Sequence, residues 1–245
     1  MINYLKSEGY RVLRMKSVYM IPLFVLGLLL FMLGLTWLTA LGDPKFLYNN
    51  TQFIYRFSQG SLVFLIFIIP FLVNTMFADE YKNGTFKNTL AYGVSRITLY
   101  FGKLIMVTLV SMVMSVIILL VFIPSVELLM ENSGANYRHE FLRAVIYYIP
   151  LLLASLTLSH MLSFVTQKTG THFGIYYLIV FALPQILFFL TKLSLVIPEG
   201  VLKLFPYYIM ANVIMERPLF FGGILFVYFS ITSIIGVKLF SRRDI

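Results

Sequence analysis

Three histidines, His139, His160 and His172, are the only imidazoles in this 245-residue chain, and they do not make a metal site. Metal-assisted hydrolysis calls for paired ligands and a nearby carboxylate, as in H-E-x-x-H, and that spacing does not occur. The chain contains no cysteine, which removes disulfides and thiolate ligands. Gly102-Lys103 is followed by Leu104 and lacks a glycine five positions before Gly102, so it does not complete a phosphate-binding loop. Neither a catalytic residue nor a metal ligand is therefore assigned. The polar residues Asn74, His160 and Gln185 interrupt long apolar runs and could line a pathway through them. His160 has a second reading, as a packing histidine hydrogen-bonded among Thr157, Ser159 and Ser163. Gln185, after Pro184, could instead repair a kinked helix ladder.

The elements that must carry these residues are set by composition. The chain is 60% hydrophobic and 12% charged, with mean hydropathy +0.89, far from the roughly 25% charge of soluble domains. An all-α integral membrane protein is expected, since a span needs roughly 20 apolar residues and nothing alternates with the period of a β-barrel. Six spans are predicted at 18–41, 61–78, 104–126, 144–166, 173–191 and 218–237. The first run is too long for a secretory signal, and no cleavage pattern follows it. The two tails and the loops at 79–103 and 167–172 hold twelve basic residues, Lys103 among them, against the four acids Glu8, Asp79, Glu80 and Asp244. The opposite loops hold seven basic residues against six acids. The positive-inside rule places both termini and the 79–103 segment in the cytosol, and this asymmetry accounts for the basic pI without nucleic-acid binding.

Outside the spans, three segments have their own pattern. In 1–17, Ile2, Leu5, Gly9, Val12 and Leu13 recur at helical spacing, which predicts a helix lying in the inner interface. The segment 192–217 is apolar but broken by Lys203, Pro206 and Glu216-Arg217-Pro218, which predicts short interfacial or re-entrant helices before the sixth span. Between spans two and three, Asn83-Gly84 marks a turn, Thr85 can cap a short helix over Phe86 to Ala91, and Gly93 can end it. Ser95 can cap the next helix, which runs through Tyr100 and Lys103 into span three. Phe86 and Leu90 stand four apart and share a face, so they are expected to be exposed unless a partner covers them.

This arrangement resembles the ABC-2 type permeases, the membrane subunits of ATP-driven exporters. The resemblance is carried by the run Asp79-Glu80-Tyr81-Lys82-Asn83-Gly84-Thr85, by Leu90 and Val94-Ser95-Arg96 after it, and by the layout of six spans with cytosolic termini. It implies that the short helix is a coupling helix docking into a cleft of a nucleotide-binding subunit. Asp79, Glu80, Tyr81, Lys82, Asn83, Gly84, Thr85, Phe86, Lys87, Leu90, Ser95 and Arg96 would then be the coupling residues. It further implies two cytosolic ABC ATPase subunits that bind ATP and Mg, a second permease, identical or homologous, and a place in a bacterial cell membrane. The chain itself would hold no cofactor. Its small size resembles the antimicrobial-peptide exporters and bacteriocin immunity permeases, implying a hydrophobic or amphipathic peptide, toxin or drug as substrate. An ATP-independent secondary transporter or channel is the alternative, but neither buried coupling charge nor a repeated half is visible.

Overall fold

A computed structural model describes residues 2–43, 45–82, 85–134, 136–166, 168–192 and 218–242. These residues form ten α-helices: α1 (Ile2–Arg14), α2 (Lys16–Gly42), α3 (Thr51–Ser61), α4 (Leu65–Lys82), α5 (Thr85–Ala91), α6 (Arg96–Leu129), α7 (Asn136–Val165), α8 (Thr169–Tyr177), α9 (Leu183–Lys192) and α10 (Pro218–Ser241). A 3-10 turn at Leu62–Phe64 joins α3 to α4, and a π turn at Leu178–Ala182 joins α8 to α9. Among the described residues there is no strand, only an isolated bridge between Asn50 and Glu131. Six helical stretches are long and apolar enough to cross a membrane: Lys16–Gly42, Thr51–Phe77, Arg96–Leu129, Asn136–Val165, Thr169–Thr191 and Leu219–Ser241. The protein is an all-α, multi-pass membrane protein. The segment expected to form interfacial helices lies outside the described residues from 193 to 217.

Two of these spans differ informatively from the sequence windows. At 34 residues α6 is about 50 Å long, well beyond the roughly 30 Å of hydrocarbon, so its ends must project past the membrane core. Its start is fixed by Ser95, whose Oγ accepts from the Thr98 amide at 3.1 Å. Lys103 therefore stands about two turns inside the helix, as the Ser95 cap predicts. In the fifth span Pro184 lacks the amide that would continue an α ladder. The chain absorbs this with the π turn, and the Leu183 amide bonds back to the Leu178 carbonyl.

The described chain forms two compact units. One comprises residues 16–62 and 109–146. Its core is Leu33, Ile54, Tyr55, Phe122, Val126, Met130 and Phe141, drawn from α2, α3, α6 and α7. At its edge Asn50 caps α3 through the Phe53 amide at 2.8 Å, and the Thr51 amide donates to the Glu131 carbonyl at 3.0 Å. Beside these bonds, a polar cavity of about 210 Å³ is bordered by Tyr55, Glu127 and Arg138.

The other unit comprises 1–15, 63–108 and 147–245. Its helices approach closely where glycine removes a side chain. A Cβ on Gly102 of α6 would stand 2.5 Å from the Tyr4 ring of α1, and one on Gly236 of α10 would stand 2.7 Å from Cζ of Tyr100. Farther along, the Tyr176 and Tyr177 hydroxyls donate to the Ile66 and Phe67 carbonyls at 3.0 and 2.7 Å, fastening α8 to α4. Thr232 donates to Thr157 at 3.0 Å, which fastens α10 to α7.

Candidate functional site

The short helix between spans two and three forms as the turn and cap signals predict. It ends where Gly93 takes φ +85, and the Gly93 amide returns to the Leu90 carbonyl at 3.0 Å. Phe86 and Leu90 do share a face, but that face turns toward the protein. Phe86 is only 5% exposed and Leu90 is half-buried. The expected exposed apolar pair is thus corrected: Phe86 finds its cover within the chain, packing against Phe77 of α4 at 6.3 Å and Phe164 of α7 at 5.9 Å between ring centroids. The outward face of α5 carries Lys87, Asn88 and Ala91, and Tyr92 beyond its end is 88% exposed.

Four charged side chains meet next to Phe86. Glu8 and Arg11 stand three apart on α1 and pair with each other. Lys103 reaches Oε1 of Glu8 at 2.8 Å and Oε1 of Glu80 on α4 at 2.7 Å. Arg11 lies 3.1 Å from the same Glu80 oxygen and donates to the Met76 carbonyl at 3.1 Å. With Lys103 1% exposed and Glu8 5% exposed, neither has water to replace its partners. An unpaired buried ammonium would carry a desolvation penalty of several kcal/mol, so these two acids and two bases depend on one another. Burial by itself would raise the Glu8 pKa, but Lys103 and Arg11 outweigh it and hold the carboxyl below its ordinary range. Burial pushes the Tyr4 hydroxyl up, with Glu8 and Glu80 adding to the effect, so Tyr4 stays protonated.

This cluster determines how α1 seats. The helix forms as expected, but its inward stripe is Tyr4, Leu5, Glu8, Arg11 and Val12, while Ile2 and Leu13 are exposed. Lys103 draws the carboxylate inward, and Gly102 admits Tyr4. Of the predicted coupling residues whose side chains are described, Glu80 is the one that enters the cluster. Ser95 caps α6, and Arg96 donates to the Phe240 and Ser241 carbonyls at 2.9 and 3.1 Å. Asp79, Tyr81, Lys82 and Thr85 are described as helix residues only, while Asn83 and Gly84 lie outside the described residues.

The polar span residues are not brought together. Asn74 accepts from Thr169 at 3.3 Å, tying α4 to the start of α8. His160 is fully buried, and its Nε2 donates to the Tyr100 carbonyl at 3.0 Å. Its ring lies edge-on to Phe77, Tyr100 and Phe164, with Nδ1 unbonded. Gln185 is half-buried on α9. No hydrogen bond joins these three among the described residues, and His160 has the surroundings of a packing residue. Among the same residues no group of acids and histidines could hold a metal ion.

Glu8, Arg11 and Lys103 are the members of the site that sequence reasoning did not single out. The available signal was Lys103 itself. Once Ser95 starts the helix, a lysine two turns in needs carboxylates, and Glu8 and Glu80 are among the few acids near that end of the spans. A family model described as ABC-2 family transporter protein matches residues 5–185, which include all four charged residues and α5. No curated protein matches the sequence. The match spans most of the chain and agrees with its six apolar helices, and the chain belongs to the ABC-2 family of transporter proteins.

Proposed function

We propose that this chain is the permease of an ATP-driven exporter in a bacterial cell membrane, coupled through α5 to two cytosolic ATPase subunits and paired with a second permease, identical or homologous. Membership of the family supports a transport component that does no chemistry of its own. Nucleotide and Mg belong to the partner subunits in this reading, since the chain has no phosphate-binding loop. Both termini and α5 lie in the cytosol, on the strength of the basic residues concentrated there. The substrate is a hydrophobic or amphipathic peptide, toxin or drug, a choice that rests on the resemblance to small peptide-export and immunity permeases.

One observation carries the coupling assignment. α5 is rooted by Phe86 and leaves Lys87, Asn88 and Tyr92 outward, so it has one face held by the bundle and one free to receive another protein. A push on the outer face reaches α4 through Phe77 and α7 through Phe164. The test is copurification of the ATPase from membranes carrying Tyr92→Asp. A charge on so exposed a residue leaves insertion intact. Retained ATPase should fall at least tenfold, and substrate-stimulated hydrolysis should fall with it. Undiminished recovery and transport would overturn α5 as the docking element.

A further inference from the structure

We propose that Lys103 is a positioning residue for α5, and that through it α1 belongs to the same mechanical joint instead of serving only as a membrane anchor. One ammonium touches the side chains of three other helices. Lys103 Nζ bonds Glu8 of α1 and Glu80 of α4, and lies 5.1 and 5.5 Å from the ring centroids of Phe77 on α4 and Phe86 on α5. Both rings are within the roughly 6 Å over which a cation is drawn to an aromatic face. α5 has seven residues, too few to persist as a helix by local bonding, so its place is set by what its side chains touch. Phe86 is its buried root, and the ammonium is part of that root's surroundings.

The charge has a role that packing alone would not require. Lys103 begins a stretch of α6 with no further charge until Glu127, so an apolar side chain would suit the position by hydropathy. Buried ion sets are often no more stabilising than apolar residues of similar volume. They differ in being directional: the ammonium must meet Glu8 and Glu80 together, which holds α1 and α4 in one relation to α6. Arg11 reinforces that relation through Glu80 and the Met76 carbonyl. Phe86 is therefore seated against groups whose arrangement α1 helps to fix. Loss of the α1 carboxylate should be felt at α5 less than loss of Lys103, because Glu80 still holds the ammonium.

The significance for transport rests on α5 being the coupling helix, whereas the positional claim does not. Since the chain has no cysteine, label pairs can be placed directly in the full-length protein. Ser7→Cys with Asn88→Cys reports α1 against α5, and Ile97→Cys with Asn88→Cys reports α6 against α5; all three positions are exposed. With spin labels in lipid bilayers, both pairs should give narrow distance distributions. Lys103→Met should at least double both widths, and Lys103→Arg, which keeps the cation, should restore them. Glu8→Gln should widen the first pair by a greater factor than the second. Unchanged widths in Lys103→Met would overturn the proposal, as would equal broadening in Lys103→Arg, which would assign the effect to packing. If Lys103→Met fails to insert, Glu8→Gln decides: an unchanged first pair overturns the proposal. Distances that respond as stated in a chain that recruits no ATPase would leave the positioning role standing and remove only the coupling reading.

Discussion

Tyr100 lies fully buried near the head of α6 because residue 236 has no side chain. A Cβ there would stand 2.7 Å from the phenol Cζ, and the ring cannot swing aside while His160 and Phe164 hold it at 4.7 and 4.9 Å. Gly236→Ala is therefore expected to destabilise the protein by about 1–3 kcal/mol, the usual range for forcing an extra methyl into a packed interior. Gly223 on the same helix is the internal control, since a Cβ there meets nothing within 4 Å. Thermal unfolding in detergent should show a lower midpoint for Gly236→Ala, while Gly223→Ala should match or exceed the native chain through its better helix propensity. Equal midpoints for the native chain and Gly236→Ala would mean that the α6 and α10 backbones separate easily at this point. Tyr100 also provides the carbonyl that His160 bonds, so the histidine of the fourth predicted span is tied into the same packed cluster.

At the scale of elements, α10 ends on Arg96. Its guanidinium donates to the Phe240 and Ser241 carbonyls in the last turn of the helix, and it lies 5.8 Å from the Phe240 ring. Removing it in Arg96→Ala should free the last turn of α10, at about 1.5–3 kcal/mol for hydrogen bonds from a charged donor. Hydrogen exchange should quicken at the last-turn amides of α10 and stay unchanged at mid-helix residues such as Phe229. Protection that stays the same would reassign Arg96 to a partner contact. What could be read beforehand divides along the same line. Ser95 and Gly93 act locally, within a few residues of chain, and the short helix with its following cap was visible in them. The spacing of Phe86 and Leu90 gave their common face but not its direction. In a membrane protein an apolar face can turn to lipid, to a partner or to its own bundle, and periodicity is the same in each case. The inward stripe on α1 shows the same limit: Glu8 faces inward to meet Lys103, which is far away in sequence, so spacing within α1 does not indicate it. The acceptors of Arg96 were not legible either, because they lie at the opposite end of the chain.

For the whole molecule, the net charge of +9 is unevenly spread, and the proposed orientation of the six crossings rests on that distribution. The charged joint of Glu8, Arg11, Glu80 and Lys103 lies at the end of the spans expected to face the cytosol, next to the helix expected to meet the ATPase. Orientation and coupling therefore stand or fall together. A chain inserted the other way would carry α5 outside the cell, where no ATP-driven subunit could reach it. Two single-cysteine chains separate these outcomes, because the native sequence has no thiol to interfere. Leu47→Cys lies at an 80% exposed position in the link between α2 and α3, and Asn88→Cys lies on the outward face of α5. A membrane-impermeant maleimide applied to intact cells should label Leu47→Cys and spare Asn88→Cys, with the preference reversed in inverted vesicles. Labelling of Asn88→Cys from outside would reverse the topology and remove α5 as the point where ATP-driven motion enters. The ion cluster would survive that result as a structural joint, since its distances depend on α1, α4 and α6 and not on which side of the membrane they face.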